Sequence, residues 1–496
     1  MIVKNEEKHL AECLQSAKPW FDEMVVIDTG STDSTAAIAE RIGAKVFRFE
    51  WCDSFSAARN ESLRHAGKEM GWIMWLDADD TLPERTGRAI RAAAANAEKE
   101  VVAFIIPVQF VDDGPNSGTR VDHIKLFRNG LGLRFENRIH EQVLPSIRRA
   151  GGKVARLDAV VMHTNYDTSI EGQAGKHERD RKLLELDLSD TPEHPFKLFN
   201  YGMTEHYAGN HEAAIAWLQR SLAASGNADT HLRKVYALMA GSQWQLGRKE
   251  EALQTLEAGL AAVGDDPELD FLSGRLLAEM GRFQEAKAHY LKAAGADISG
   301  HLSSIDIGIV GAKAYHNLGS VCRLLGEAEE AKDWFQKALA ERPDMLATML
   351  ELFDGALASG AMKEAERMIA HARVHASDSV EVEVMAARYA EAVSGLDAAL
   401  HSIRHSMAKN GHGKALRMTL VRLLLNVGRV EEAMPDLEEL DGEGVAEAAY
   451  YRGVCASRSG DNAGALAHME RALALNPGHE QTIAQVEGLR KAVAGG

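Results

Sequence analysis

Apolar residues in the first third of the chain fall in short runs separated by stretches with helical spacing. MIV opens as a strand, and EEKHLAECLQSA follows with apolar positions about one helical turn apart. MVVID reads as a strand that ends in a Gly/Ser/Thr turn. STAAIAERIG reads as a helix closed by Gly43, and AKVFRF as the next strand. SFSAARNESLRHAG is a helix closed by Gly67, WIMWLD a strand, PERTGRAIRAAAANAEK a helix with Pro near its start, and VVAFIIPVQF a strand. This alternation predicts an α/β domain with a parallel-dominated sheet. HIKLFR, LRFE and AVVMH read as shorter strands and loops added to it.

From about residue 193 the strand patterns stop and a phrase recurs, as in QLGRKEEALQTL, EMGRFQEAKAHY, LLGEAEEAKDWF, ASGAMKEAERMI, NVGRVEEAMPDL and RSGDNAGALAHM. Its glycines are Gly209, Gly247, Gly281, Gly326, Gly360, Gly395, Gly428 and Gly460, spaced by 38, 34, 45, 34, 35, 33 and 32 residues. Ala214, Ala252, Ala286, Ala331, Ala365, Ala433 and Ala465 each follow five residues later, where a small side chain lets helices pack closely. The unit around Gly395 departs from this rule, and ADISGHLSSIDIGI (296–309) accounts for the long spacing. Period and small-residue positions resemble the tetratricopeptide repeats, with about eight units expected. The resemblance implies a superhelix whose concave face binds peptides or proteins; an inert spacer or dimerisation surface is the alternative.

A chain of 496 residues is too long for one core. Its 56 Lys+Arg against 73 Asp+Glu give a net charge of −17, which argues against a nucleic-acid partner and a polybasic membrane attachment. Cys13, Cys52, Cys322 and Cys455 are far apart and lack metal or redox spacing, so free thiols in a reducing compartment are expected. No apolar run is long enough for a transmembrane segment, and MIVKNEEKHL lacks the apolar stretch of a signal peptide. The expected location is cytoplasmic.

Chemistry concentrates at predicted strand ends. Asp28 ends MVVID, and Asp77, Asp79 and Asp80 end WIMWLD. Open α/β sheets bind ligands at the carboxyl ends of their strands. Carboxylates crowded this way repel one another, which raises at least one pKa. A divalent cation, Mg²⁺ or Mn²⁺, removes the conflict and commonly takes one or two carboxylates plus substrate phosphates. Gly30, Ser31 and Thr32 supply donors in a tight turn, with Asp33 or Ser34 as the cap of the helix that follows. DADD alone also fits a solvated strand end; its convergence with DTGSTD favours a metal–diphosphate site.

Together, MIVKNEE, VVIDTGSTDST, FSAARNESL and WLDADDTL resemble the family 2 glycosyltransferases of the GT-A fold, in the family's order. They resemble most a bacterial branch that carries tetratricopeptide repeats. The resemblance spans about residues 1–165. It implies a hexosyltransferase-like enzyme that moves a sugar from a nucleotide sugar to an acceptor, with inversion. It places Glu6 in the strand-end NE motif lining the nucleotide pocket, Asp28 near the base, and Arg59 and Asn60 facing the nucleotide. Asp77 matches the ribose-side acid of the DxD and Asp79 the metal-side acid, with Asp80 beside them. Family members usually carry residues ahead of the VKNE strand, so the first strand is expected to be short or the start to lie upstream.

HIKLFRNGLGLRFENRIHEQV resembles the same branch. Inverting transfer needs a base for the acceptor proton. Glu141 is the candidate, with His140 beside it as the alternative; both also fit a role in fixing a loop. Arg128 and Arg138 suit phosphates or ion pairs equally. His163 resembles the late histidine that often completes a GT-A metal site, and the border of the domain offers it a plain hydrogen-bonding role instead. Trp51 suits stacking on a sugar or base, whereas Trp72 and Trp75 read as packing. GKHERDRKLLELDL reads as a solvated linking helix.

The expected architecture is an α/β GT-A (nucleotide-diphospho-sugar transferase-like) domain at 1–165 and a linking helix at 166–192. An all-α tetratricopeptide-repeat solenoid at 193–480 and a tail at 481–496 follow. The expected partners are a nucleotide-sugar donor and a protein or peptide held by the repeats. A repeat-based scaffold with a degenerate nucleotide-binding domain is the alternative function, and a nucleotidyltransferase a further one.

Overall fold

Three short parallel strands carry the first loops. They are β1 (Ile2–Val3), β2 (Val25–Asp28) and β3 (Lys45–Arg48), in that order in one sheet. Helices α1 (Leu10–Ala17) and α2 (Thr35–Ile42) alternate with them, as crossovers between parallel strands require. Leu10, Leu14, Val26, Ile38 and Ala39 form the buried seam between helices and strands. The computed structural model of the protein describes residues 1–110, 118–164, 170–227, 229–298, 304–377, 379–410 and 413–495.

A second sheet follows α3 (Phe55–His65). Its strands are β4 (Trp72–Met74), β5 (Asp80–Thr81), β6 (Val101–Phe110), β7 (Thr119–Arg128), β8 (Lys153–Arg156), β9 (Val161–His163) and β10 (Ile305–Asp306). Helix α4 (Glu84–Asn96) lies between β5 and β6, and α5 (Leu144–Ala150) between β7 and β8. Long strands β6 and β7 pair antiparallel at the centre, and each shares its outer edge between two short strands. Strand β6 takes β8 and β9, both parallel; β7 takes β4 and β10, both antiparallel. Strand β5 pairs antiparallel with β9. The sheet is therefore mixed rather than parallel-dominated. Apolar runs announced strands but not their direction, which is decided by pairing between strands far apart in sequence.

Three further expectations are corrected. WIMWLD is paired only to Met74, after which Trp75 turns its backbone N–H onto Lys125 O at 3.1 Å. LRFE is not a strand, and only an isolated bridge links Glu136 to Gln142. Strands do not end at residue 193, since β10 lies inside the repeats and pairs Ile305 with Arg120 and Asp306 with Thr119. The extra segment expected at 296–309 thus ends on the sheet, and its residues 299–303 lie outside the described residues.

Helix α6 (Ile170–Asp190) is not a solvated linker. Leu183 and Leu184 are each 1% exposed and pack with Leu188 against Ile139, Leu198 and Tyr201. Asp187 Oδ2 accepts the backbone N–H of Arg138 at 2.8 Å, and Lys182 reaches Asp53 at 2.9 Å. The helix thereby fixes the segment that leads into His140 and Glu141.

Helices α7 (Pro195–Tyr207), α8 (His211–Ala224) and α9 (Leu232–Gln245) begin a series of helix pairs that runs on to Asn462–Leu475. The chain divides into two compact units, Met1–Glu327 and Ala328–Gly496. The eight turn glycines have φ between 74° and 84°, a left-handed conformation that costs other residues about 1 kcal/mol or more. The alanines five residues on are all buried. At Gly395 the next helix starts one residue earlier, at Leu396, and the buried small residue is Ala399 instead. Residues 480–495, expected as a tail, form a helix. Among the described residues, no helix is long and apolar enough to cross a membrane.

Candidate active site

The carboxyl end of β1 runs into Asn5, Glu6 and Glu7, and that of β2 into DTGSTD. The two loops are latched by their own side chains. Asn5 Oδ1 accepts Thr32 N–H at 2.8 Å, Thr35 Oγ1 accepts Glu6 N–H at 2.7 Å, and Glu7 Oε2 accepts Ser34 N–H at 3.1 Å. Asp28 is buried and turned into its own loop, where Oδ1 accepts Gly30 and Ser31 N–H at 3.1 and 2.8 Å. Ser34 holds the N-cap position of α2 without a side-chain cap bond, and Asp33 Oδ1 beside it accepts Thr35 N–H at 3.0 Å.

Four carboxylates, one histidine and two cations meet where β4, β5, β7 and β9 converge. Strand β5 opens with Asp80, and its register sets Asp80 opposite His163. His163 Nδ1 lies 3.1 Å from Asp80 Oδ1, and its Nε2 lies 3.4 Å from Asp79 Oδ2. Ligand atoms of Asp79, Asp80 and His163 all fall within 4.8 Å of one another. Asp80 Oδ2 also takes Lys125 Nζ at 2.6 Å and Asp77 N–H at 3.0 Å. Arg59 donates from Nη2 to Asp77 Oδ1 at 2.8 Å and from Nε to Glu141 Oε1. Its Nη1 is buried without a partner. The Trp75 ring backs both cations, 4.2 Å from the Arg59 guanidinium and 3.7 Å from Lys125 Nζ.

Charge shapes the titration of these groups. Burial, then Asp79, Asp33 and Asp77, push the Glu6 carboxyl up to about 7. Burial also raises Asp79, helped by Asp77 and Asp80 and opposed by His163. Burial works against a charged His163, but the Asp80 hydrogen bond and the Asp79, Asp80 and Asp77 charges outweigh it and raise its pKa. Desolvation works against a charged Asp77 too, yet Arg59 and Lys125 hold it well below the usual carboxylate range. A pair with one acid raised and its neighbour lowered marks a functional site more often than a plain ion pair does.

The structure brings together Glu6, Arg59, Asp77, Asp79, Glu141 and His163. It does not bring Asn60 to the cluster, since its amide exchanges hydrogen bonds with the Phe135 backbone at 2.8 and 2.9 Å. Nor does it leave Arg128 free for phosphate, because Arg128 bonds the carbonyls of Val101, Ala97 and Glu98. Arg138 contacts Asp53 O and Asp190. Trp51 donates to Asp53 at 3.0 Å and packs on Phe55. Trp75 donates to Ile124 O at 2.7 Å, and Trp72 packs by Phe104. His140 has φ 50° and a buried Nε2 without a partner. Burial lowers its pKa. Asn5, Asp53, Asn137 and His140 are the non-glycine residues with positive φ among those described, and all lie in or next to these loops. Such strain, roughly 1–3 kcal/mol each, persists where the surroundings impose it.

Residue-type reasoning missed one member of this cluster, Lys125, and the task of another, Asp80. Lys125 gave one signal, a single cation inside the apolar run HIKLF. Asp80 was visible, but its role depends on the β5–β9 register. The donor set suits a divalent cation. Asp79 and His163 offer an oxygen and a nitrogen facing each other, and a second carboxylate orients the imidazole from behind.

Residues 1–150 match the model of Glycosyl transferase family 2, and residues 238–301, 312–345 and 446–479 match models of the tetratricopeptide repeat. The chain thus carries a family 2 glycosyl transferase domain followed by tetratricopeptide repeats. It is 35% identical over 228 residues to a TPR repeat-containing protein of Synechococcus elongatus, covering 45% of this chain and 55% of that protein. It is 29% identical over 226 residues to the prophage-derived glycosyltransferase SunS of Bacillus subtilis, covering 45% and 52%. The chain therefore spans about half the length of these relatives. A solved tetratricopeptide repeat protein from Parabacteroides merdae aligns at 17% identity with a TM-score of 0.41, covering 52% of this chain and 99% of that one.

Proposed function

We propose that the protein transfers a sugar from a nucleotide sugar to an acceptor, with inversion, and that its repeats hold the acceptor or a protein that presents it. The observation that carries the reading is the Asp79–His163–Asp80 arrangement at the strand ends, next to Arg59 and Asp77. A match of residues 1–150 to a glycosyl transferase family supports it.

Asp79 and His163 would hold a divalent cation, Mn²⁺ or Mg²⁺; His163 tilts the choice to Mn²⁺ because imidazole suits it better. Such a cation supplies charge to offset that of a departing diphosphate. Asp77, kept ionised by Arg59 and Lys125, would accept hydrogen bonds from a ribose. Arg59 Nη1 is a donor without a partner, ready for a nucleotide oxygen. Glu6, with its raised pKa, lines the same pocket. Glu141 has Oε1 held by Arg59, which leaves Oε2 for an acceptor proton. His140, kept neutral by burial, is the alternative base.

The test is a donor screen with the full chain, measuring release of nucleoside diphosphate with and without Mn²⁺. Cation-dependent release that falls by about 100-fold or more in Asp79→Asn is expected, since changes behind a metal ligand alone cost 10–100-fold. Release of pyrophosphate would point to nucleotidyl transfer. No turnover with any donor, together with partner capture that survives loss of Asp79, would sink the enzyme reading in favour of a scaffold.

A further inference from the structure

Lys125 lies on β7, beside the point where Trp75 leaves β4, and is only 1% exposed. An ammonium taken this far from water needs strong partners. Lys125 Nζ has three. They are Asp80 Oδ2 at 2.6 Å, Asp77 Oδ2 at 3.7 Å and the Trp75 ring at 3.7 Å. Aromatic and acid together enclose the charge, so the side chain has one place to be.

Asp80 is 0% exposed and divides its oxygens between two tasks. Oδ2 faces Lys125 and the Asp77 N–H; Oδ1 faces His163 Nδ1. An imidazole held at Nδ1 by a carboxylate presents Nε2 in a fixed direction. Here that direction is toward Asp79. Remove the ammonium, and Asp80 Oδ2 keeps only the Asp77 N–H, a weaker hold on the plane that sets Oδ1 on His163.

We propose that Lys125 is a positioning residue which acts through Asp80 to hold His163 Nε2 toward the cation site. The relay rests on the reading that Asp79 and His163 hold a divalent cation. It gives DADD a division of labour. Asp79 faces the cation, Asp80 faces inward to hold the histidine, and Lys125 lets three acids occupy four positions without repelling the site open.

The test binds Mn²⁺ to the full chain and reads affinity by titration and imidazole coordination by pulsed electron paramagnetic resonance. Wild type is expected to show nitrogen coupling from His163. Lys125→Met is expected to lose that coupling and about 10- to 100-fold in Mn²⁺ affinity. Asp80→Asn is expected to lose a similar factor, and the double variant no more than Asp80→Asn alone, because the two act in series. Circular dichroism and melting check the fold. If Lys125→Met does not fold, the double variant, which buries no unpaired charge, still reads the relay against Asp80→Asn. A double variant that binds tenfold or more weakly than Asp80→Asn overturns the relay. So does wild-type nitrogen coupling that persists in Lys125→Met. A wild-type spectrum with no imidazole coupling overturns the cation reading itself, and the relay with it.

Discussion

Glu141 and His140 are neighbours in sequence but differ in what a proton would meet. Glu141 is anchored through Oε1 to Arg59, whose other bond goes to Asp77, so it is wired to the nucleotide side of the site. His140 sits in a left-handed backbone conformation with Nε2 sealed from partners. If Glu141 is the base, Glu141→Gln keeps the shape and removes the proton acceptor. Turnover should fall by about 10²–10⁴-fold, with donor affinity changed far less. His140→Gln should leave turnover within a few-fold. Steady-state kinetics with a saturating acceptor decide it, and the opposite ranking would assign the base to His140. The acids of this site were legible because charged residues at predicted strand ends are conspicuous. Lys125 and the task of Asp80 were not. Lys125 and Asp80 are 45 residues apart and meet only through strand register, which local pattern does not encode.

Helices of the repeats were legible at the level of period, because one unit repeats and each turn announces itself with glycine. Helix α6 was not, because its apolar residues cluster in the carboxyl half behind a charged stretch, and that half is what Ile139 and Tyr201 cover. Strand β10 was hidden for another reason: two residues are too few to show alternation, and only pairing with β7 makes them a strand. Small residues in the repeats also carry packing that can be measured. A Cβ on Gly202 of α7 would stand 2.6 Å from Leu218 Cγ and 3.2 Å from Leu218 N on α8. The backbone cannot step aside as a side-chain tip can. Gly202→Ala is therefore expected to cost about 1–3 kcal/mol, read as a lower urea midpoint with an unchanged slope. Gly355, inside the helix Leu346–Ala358, would meet nothing within 4 Å. Gly355→Ala should stabilise by roughly 0.4–1 kcal/mol through helix propensity and a less free unfolded chain. Equal effects at the two sites would show that close approach is not what Gly202 serves.

Histidines give the molecule an uneven response to acid. In Met1–Glu327, burial lowers His123 and His206 to about 4 and also lowers His140, His194, His231 and His316. In Ala328–Gly496, the half-buried His468 is lowered, again by burial. A buried neutral histidine binds no proton in the folded state at a pH where the unfolded chain, with its ordinary value of 6.5, binds one. Its contribution is present above about pH 6.5 and is lost as pH falls toward 4. For a shift of the size seen at His123 or His206, the loss at pH 5 is about 2 kcal/mol each. Glu6, Asp79 and His163 run the other way. Their folded values are raised, so acidification favours the folded form at those three positions. Asp77, held below the usual range, does not titrate in this window. Six lowered histidines against these three leave a net loss concentrated in the first unit. Hydrogen exchange at pH 7 and pH 5, corrected for intrinsic rates, should show protection falling in Met1–Glu327 well before Ala328–Gly496. Replacing His206, whose Nδ1 meets Ser242 Oγ at 2.8 Å, with Gln should flatten part of that fall. Protection lost first or equally in Ala328–Gly496 would place the acid-sensitive groups elsewhere.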